Sequence, residues 1–440
     1  MSRLFLLLTL CLCCHAVGAE PVLASDKLPI LRINTNARPQ LETGLEIGRQ
    51  SKALFPDIEQ RYDTHLATIL TLSNYEELLD KHLPPLLAQL EPAYLDEMQG
   101  VAGAWVMVNA SKRGDGQLSL AEYQLLNLLP DMGLAPNGTG IGVFGKAAAL
   151  NSTMVGRNLD WRSTAALRGL QAITVYENTE QSVVNIGFAG MLGIFNGFNN
   201  QGLFLGRFNA EPYSPYLRPS TLPELSLSGF SLRQALATQQ SGNAAKRWLT
   251  DKQSGFSTSI LIADKETVQV LEYFANDKAQ PRAWNSAVNS NRPWDKPQQI
   301  AVVDCLILDA FADHCHDVNN GVRWQRLREQ MNFSADNPAS FEAISALLFD
   351  TANQQYEIFN AQTLQSLVYF PTKNRLYLYA IPENGEHSAT PVHVAYLDLL
   401  PATADDDISL VWVIWLLLFA MLGGIILVRK KALTAEQLRL

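Results

Sequence analysis

Asn137 to Ser163 reads NGTGIGVFGKAAALNSTMVGRNLDWRS, and the fold turns on what its glycines are for. Gly140, Gly142 and Gly145 fit G-x-G-x-x-G, and Gly140 to Lys146 fits G-x-x-x-x-G-K, both patterns that can cradle phosphates. Such a cradle needs a strand running into the glycines and a helix whose N-terminus meets the phosphates. Here Ala147 follows Lys146, where a Ser or Thr would hold magnesium. The preceding LLPDMGLAPNGT carries Pro130 and Pro136, which is poor strand material. No H-R-D-x-x-x-x-N and no D-F-G accompany the glycines, so a kinase loop is excluded too.

The other possibility is a nucleophile. An N-terminal Thr can use its own α-amine, with an unperturbed pKa of ~7.7–8.0, as general base. It must first be freed by cleavage of the bond before it, and Gly138-Thr139 suits this because Gly138 tolerates a strained backbone. Gly140 to Val143 can continue as a strand, with Val155 to Trp161 pairing back beside it. On that second strand Arg157, Leu159 and Trp161 face one way, Asn158 and Asp160 the other. A carboxylate there can hold an amine, and a guanidinium can fix a neighbouring acceptor. A glycine-rich turn with a salt-bridged hairpin is the blander account of the same residues.

Outward from this segment the chain changes character. Residues 21 to 136 show apolar residues at helical spacing, punctuated by Pro84 and Pro85. From Thr139 to about Asn209, short runs (IGV, AITVYE, SVVNIGF, GLFLGRF) read as strands and hairpins. A helix is predicted at LSGFSLRQALATQQ, and SILIADKETVQVLEYF reads as a hairpin turning at Asp264 to Glu266. RWQRLREQM and SFEAISALLF are amphipathic helices. SLVYFPTKNRLYLYAI is a closing strand pair that turns near Pro371 and Asn374. Strands interleaved with helix pairs predict a layered α+β domain.

The ends address a membrane. Arg3, the apolar Leu4–Cys14 and the small residues Ala16 to Ala19 read as a signal peptide. Ile408 to Val428 carries no charge and, at ~1.5 Å per residue, matches a ~30 Å hydrocarbon core. Asp405 to Asp407 precede it, and Arg429, Lys430 and Lys431 follow it, which places the tail in the cytoplasm. A bacterial inner membrane, with the ectodomain facing the periplasm, suits this topology. A net charge of -9, from 43 acidic and 34 basic residues, argues against a nucleic-acid partner. Of five cysteines only Cys305 and Cys315 fall in the exported part, and an oxidising compartment favours a disulfide between them.

The segment from Gly138 to Trp161 resembles the penicillin acyltransferase-like branch of the N-terminal nucleophile hydrolases, whose relatives include acid ceramidase and the choloylglycine and penicillin V hydrolases. Their signature is a nucleophilic Cys followed by a strand carrying G-R-N-x-D-[WF], and GRNLDW is intact here. Counting back by the family spacing lands on Thr139. EMQGVAGA resembles the family's pro-segment helix, GFNNQGL its G-x-N-E-x-G-L loop, VRWQRL its R-x-x-R-L helix, and TLQSLVYFPTKNRLYLYA its closing strand pair; the likeness covers roughly residues 90 to 380. The resemblance implies a four-layer αββα sandwich and an amidohydrolase or acyltransferase acting on an acylated small molecule or lipid, with no cofactor. It implies Thr139 as nucleophile, Asp160 holding its amine, Arg157 ordering the pocket and Asn199 donating to the oxyanion. It also implies Asn291 as second Asn, with Asn289 adjacent, and Arg323 as the late arginine, with Arg326 the alternative. Thr stands where the family carries Cys, so the resemblance leaves either a threonine nucleophile or an inert site that only binds ligand.

The expected organisation is a signal peptide at 1–20, a helical pro-segment at 21–138, the hydrolase core at 139–400, a transmembrane helix at 408–428 and a cytoplasmic tail at 429–440. One further motif, SKRGDGQLSLAE from Ser111 to Glu122, resembles an EF-hand loop, but Arg113 brings positive charge to a ligand position.

Overall fold

The computed structural model describes residues 27–400, except 211–227, 276, 312–314, 316, 353–356 and 389. The signal peptide and the apolar 408–428 segment lie outside the described residues. No helix among those described is long and apolar enough to cross a membrane.

Fourteen strands among the described residues form two sheets. The first contains β1 (Ile30–Asn34), β4 (Gln171–Glu177), β5 (Val183–Phe188), β6 (Asn196–Asn199), β7 (Phe204–Asn209), β8 (Thr258–Ala263), β9 (Val268–Tyr273) and β10 (Gln280–Arg282), in that spatial order. The second runs β11 (Gln299–Val302), β2 (Asn137–Val143), β3 (Met154–Asp160), β12 (Thr363–Phe370), β13 (Arg375–Ala380) and β14 (Val394–Tyr396). Every pairing is antiparallel except β1 with β4.

The two sheets pack face to face. Ile173, Val184, Phe198 and Leu261 of one meet Val155, Ile300, Leu367 and Tyr369 of the other in a single apolar core. Helices cover the outer faces: Gly229–Thr238 and Gly242–Thr250 lie on β5 to β9, while Val318–Gln330 and Phe341–Leu348 lie on β11, β3 and β12. The helices Gln40–Leu54 and Pro92–Trp105 pack on each other, and the first also reaches β1. Both sheets are therefore buried on two faces, which is why their strands read as near-continuous apolar runs.

The hairpins at Asp264 and at Pro371–Asn374 form as expected, and the Asp264 carboxylate caps its turn by accepting from the Glu266 and Thr267 N–H groups. Within the region predicted to be helical, β1 adds a strand to the larger sheet. The phosphate cradle has no room. Gly140 and Gly142 sit inside β2, where a Cβ would lie 2.6 Å from Phe208 and 2.4 Å from Val268. In EMQGVAGA, Glu97 forms a two-pronged pair with Arg233 at 2.8 and 3.0 Å, tying the helix Pro92–Trp105 to the helix Gly229–Thr238. The EF-hand-like loop is satisfied by protein. Asp63 accepts from the Gly114 and Gly116 N–H groups, and Glu122 accepts from Tyr75 and from the Ser119 N–H while capping its own helix.

Candidate active site

β2 and β3 pair with Gly138 opposite Leu159, Thr139 opposite Asn158 and Gly140 opposite Arg157, so the two ends of the opening segment lie side by side. Gly138 has φ +134°, a region that L side chains rarely adopt, and a Cβ there would lie 2.0 Å from the Asn158 carbonyl oxygen. Thr139 is fully buried, and its Oγ1 has no hydrogen-bond partner among the described residues. A buried hydroxyl in that state costs roughly 1–3 kcal/mol, so its persistence asks for an explanation.

Gly138, the residue before Thr139, is held through both its N–H and its carbonyl. The Gly138 N–H donates to Asp304 Oδ1 at 2.7 Å, and Arg323 Nη1 donates to the Gly138 carbonyl at 3.4 Å. Arg323 also pairs with Asp304 Oδ2 at 2.6 Å and approaches Asp160 Oδ2 at 3.6 Å. Asp160 is fixed in turn by Thr363 Oγ1 at 2.7 Å and Asn360 Nδ2 at 2.8 Å. Burial opposes the charge on Arg323, yet Asp304 and Asp160 together raise its pKa. Asp304 is pushed up to about 6, first by burial and then by Asp160, against the pull of Arg323.

Arg157 lies on the opposite face of β3, between the sheets. Its guanidinium sits 3.4 Å over the Phe208 ring, and Nη2 donates to the carbonyls of Arg207 at 2.8 Å and Asn137 at 3.3 Å. Burial lowers its pKa to about 9, with Asp304 and Asp160 opposing, so it stays charged at neutral pH.

Of the six residues expected in the site, the structure brings together Thr139, Arg157, Asp160 and Arg323. Asn199 is not among them. Its Nδ2 donates to the carbonyls of Leu236 and Gln239, and its Oδ1 accepts from the N–H groups of Gln201 and Leu203. It builds the β6–β7 turn; Arg207, whose carbonyl meets Arg157, lies four residues beyond Leu203, roughly 13 Å along the strand. The asparagine at the near end of β7 is Asn209, whose N–H donates to the Pro136 carbonyl at 2.8 Å. Asn291 is exposed, in a turn where its N–H donates to Asn289 Oδ1. Arg326, the alternative to Arg323, faces Asp350 instead.

Asp304 belongs to none of the motifs. Its signal is present all the same, as the lone charge within IAVVDCLIL. The loop it begins is closed by a disulfide between Cys305 and Cys315. The residues just before Asn137, Leu129 to Pro136, are all buried, and Asp131 pairs with Arg207 at 2.6 Å, each side chain 1% exposed.

No protein-family model matches the chain, and no curated protein matches it. Among solved structures it is similar to a Caenorhabditis elegans ortholog of N-acylethanolamine-hydrolyzing acid amidase, at 17% identity, covering 53% of this chain and 92% of that chain, with a TM-score of 0.38. It is also similar to the conjugated bile acid hydrolase of Clostridium perfringens, at 14% identity over 59% of this chain and 96% of that one, TM-score 0.33. A third is the penicillin V acylase of Agrobacterium tumefaciens, at 13% identity over 60% and 89%, TM-score 0.34. Likenesses this distant transfer neither a substrate nor a catalytic residue to this chain.

Proposed function

We propose that this chain is an N-terminal nucleophile amide hydrolase or acyltransferase, made as a precursor that cleaves itself between Gly138 and Thr139. One observation carries the reading: the partnerless Thr139 hydroxyl follows directly on Gly138, a residue whose N–H is held by Asp304 and whose carbonyl, the one at the scissile bond, is touched by Arg323. A guanidinium at a carbonyl oxygen stabilises the negative charge that develops there when a nucleophile adds. Attack of Oγ1 on the Gly138 carbonyl carbon forms a C–O bond and breaks the C–N bond; the hydroxyl proton ends on the released nitrogen. Water then hydrolyses the ester, giving a carboxylate at Gly138 and a free α-amine at Thr139.

The freed amine serves as general base for the same hydroxyl in later turnovers. Asp160 and Asp304 supply the negative charge that holds it, and Arg157 orders the inter-sheet side of the site. In the uncut chain Thr139 is fully buried and its nitrogen is an amide, so cleavage precedes catalysis. The substrate class is an acylated small molecule or lipid, cut or transferred at its amide bond. Tethering through residues 408–428, with the domain facing a periplasm, belongs to the same proposal.

Intact mass and N-terminal sequencing of the purified protein test the reading, alongside turnover of N-acyl amides bearing a fluorogenic amine. Expected are two fragments, the second beginning at Thr139, and loss of both cleavage and turnover in Thr139→Ala. An uncut wild-type chain that still binds acyl compounds would instead be the inert ligand-binding relative.

A further inference from the structure

We infer that Asn158 orients the Thr139 hydroxyl for self-cleavage, acting as a positioning residue; this deepens the preceding proposal and rests on it. In the uncut chain the nitrogen of Thr139 is an amide and accepts no proton, so the α-amine that serves the mature site is absent. Something else must turn the hydroxyl so that an oxygen lone pair, and not the proton, faces the Gly138 carbonyl.

The acidic candidates are occupied. Asp304 Oδ1 and Oδ2 accept from the Gly138 N–H and from Arg323, while Asp160 Oδ1 and Oδ2 accept from Thr363 and Asn360. Asn158 differs. It is fully buried, its Nδ2 donates to the Leu348 carbonyl at 2.7 Å and the Ile358 carbonyl at 3.0 Å, and its Oδ1 has no partner among the described residues. The amide cannot be turned over, because Oδ1 would then face two carbonyl oxygens. A fixed, desolvated acceptor is thus left over.

The partnerless donor lies directly opposite. Thr139 and Asn158 are register partners across β2 and β3, so their side chains share the sheet face that packs beneath the helix Phe341–Leu348. Directly opposed residues have Cβ atoms about 4.5–5.5 Å apart, within which rotation about the Thr139 Cα–Cβ bond can bring the hydroxyl to Oδ1. That contact satisfies both orphaned atoms at once and aims the oxygen away from Asn158. Asn158 takes no proton; the hydroxyl proton still ends on the Thr139 nitrogen.

The test follows cleavage of the full-length precursor over time by mass, with thermal melts of each variant, in Thr139 and Thr139→Cys backgrounds. A thiol is a weak donor and needs less orientation. Asn158→Leu is expected to slow cleavage about tenfold with Thr139, and by much less with Thr139→Cys. Asn158→Asp, which keeps an oxygen toward Thr139, is expected to cut faster than Asn158→Leu. Equal slowing in both backgrounds, or Asp no faster than Leu, overturns the assignment, since a purely structural role would act alike on either nucleophile. A wild-type chain that never cuts overturns the self-cleavage reading and this inference together; a cutting wild type with an unaffected Asn158→Leu overturns this inference alone.

Discussion

The Asp131–Arg207 pair ties the segment before Gly138 to β7, and its energetics can be worked out from its surroundings. Both side chains are 1% exposed, at 2.6 Å, and Arg207 also reaches the Pro130 carbonyl. The pair is incompletely satisfied: Asp131 Oδ2 and Arg207 Nε have no partner among the described residues. Breaking a buried pair from one side typically costs 3–5 kcal/mol because the other charge is stranded, whereas replacing both with apolar groups is often neutral or better. Arg207→Met and Asp131→Asn should therefore each cost about 3–5 kcal/mol, and Asp131→Leu with Arg207→Met far less than their sum. The singles should part company with pH. Burial already raises Asp131 despite Arg207; without the arginine it rises further. A raised folded-state carboxyl contributes stability that is lost as pH rises through its pKa, so the Arg207→Met penalty should shrink at pH 5 relative to pH 7.5. Asp131→Asn leaves no carboxyl at that position to take up a proton, and its penalty should not shrink. Urea unfolding at the two pH values measures all of this. Single penalties below about 1 kcal/mol, or an Arg207→Met penalty indifferent to pH, would refute the account by showing that water reaches the pair.

Gly138→Ala should abolish cleavage and destabilise the fold, because its Cβ would lie 2.0 Å from the Asn158 carbonyl oxygen at φ +134°; intact mass and a melt report both effects. His65 and His393 are lowered to about 3, chiefly by burial. A depressed folded-state pKa means stability lost as pH falls below 6.5 toward 3, up to about 5 kcal/mol for each. Asp304, raised to about 6, gains stability over the same fall, but only about 3 kcal/mol. The melting temperature should thus drop on acidification from pH 6 to pH 4, and a flat profile would contradict the burial of these histidines. Replacing Cys305 and Cys315 with Ser should cost about 2–4 kcal/mol in denaturant unfolding and slow cleavage, because Asp304 opens the loop they close.

Sequence carried the elements whose signals are local. The Asp264 and Pro371–Asn374 hairpins were legible because their turn residues and flanking apolar runs are contiguous. Arg157 and Asp160 were legible because one motif on one strand contains both. β1 was not, since its five residues find their partner more than a hundred positions away in β4, and nothing local distinguishes ILRIN from the start of a helical region.

The site shows the same division in its chemistry. An asparagine preceding a glycine turn offers an amide that can serve either a ligand or its own backbone. At Asn199 the backbone won, with all four of its hydrogen bonds spent on the β6–β7 turn and the end of the helix Gly229–Thr238. Asp304 went unread for the opposite reason: nothing around it in sequence says that Gly138 lies 166 residues away across a strand pair. What marks it is the cost of its position, a carboxylate inside an apolar run that must find a cation and an N–H to be tolerated. The same reasoning applies to Asn158, the middle residue of a motif whose arginine and aspartate draw the attention. Its two donors are spent and its acceptor is not, and of the two side chains opposite it in register, Ser366 meets His393 while the Thr139 hydroxyl is also unspent. A partnerless donor and a partnerless acceptor on register partners thus mark this pair independently of any motif.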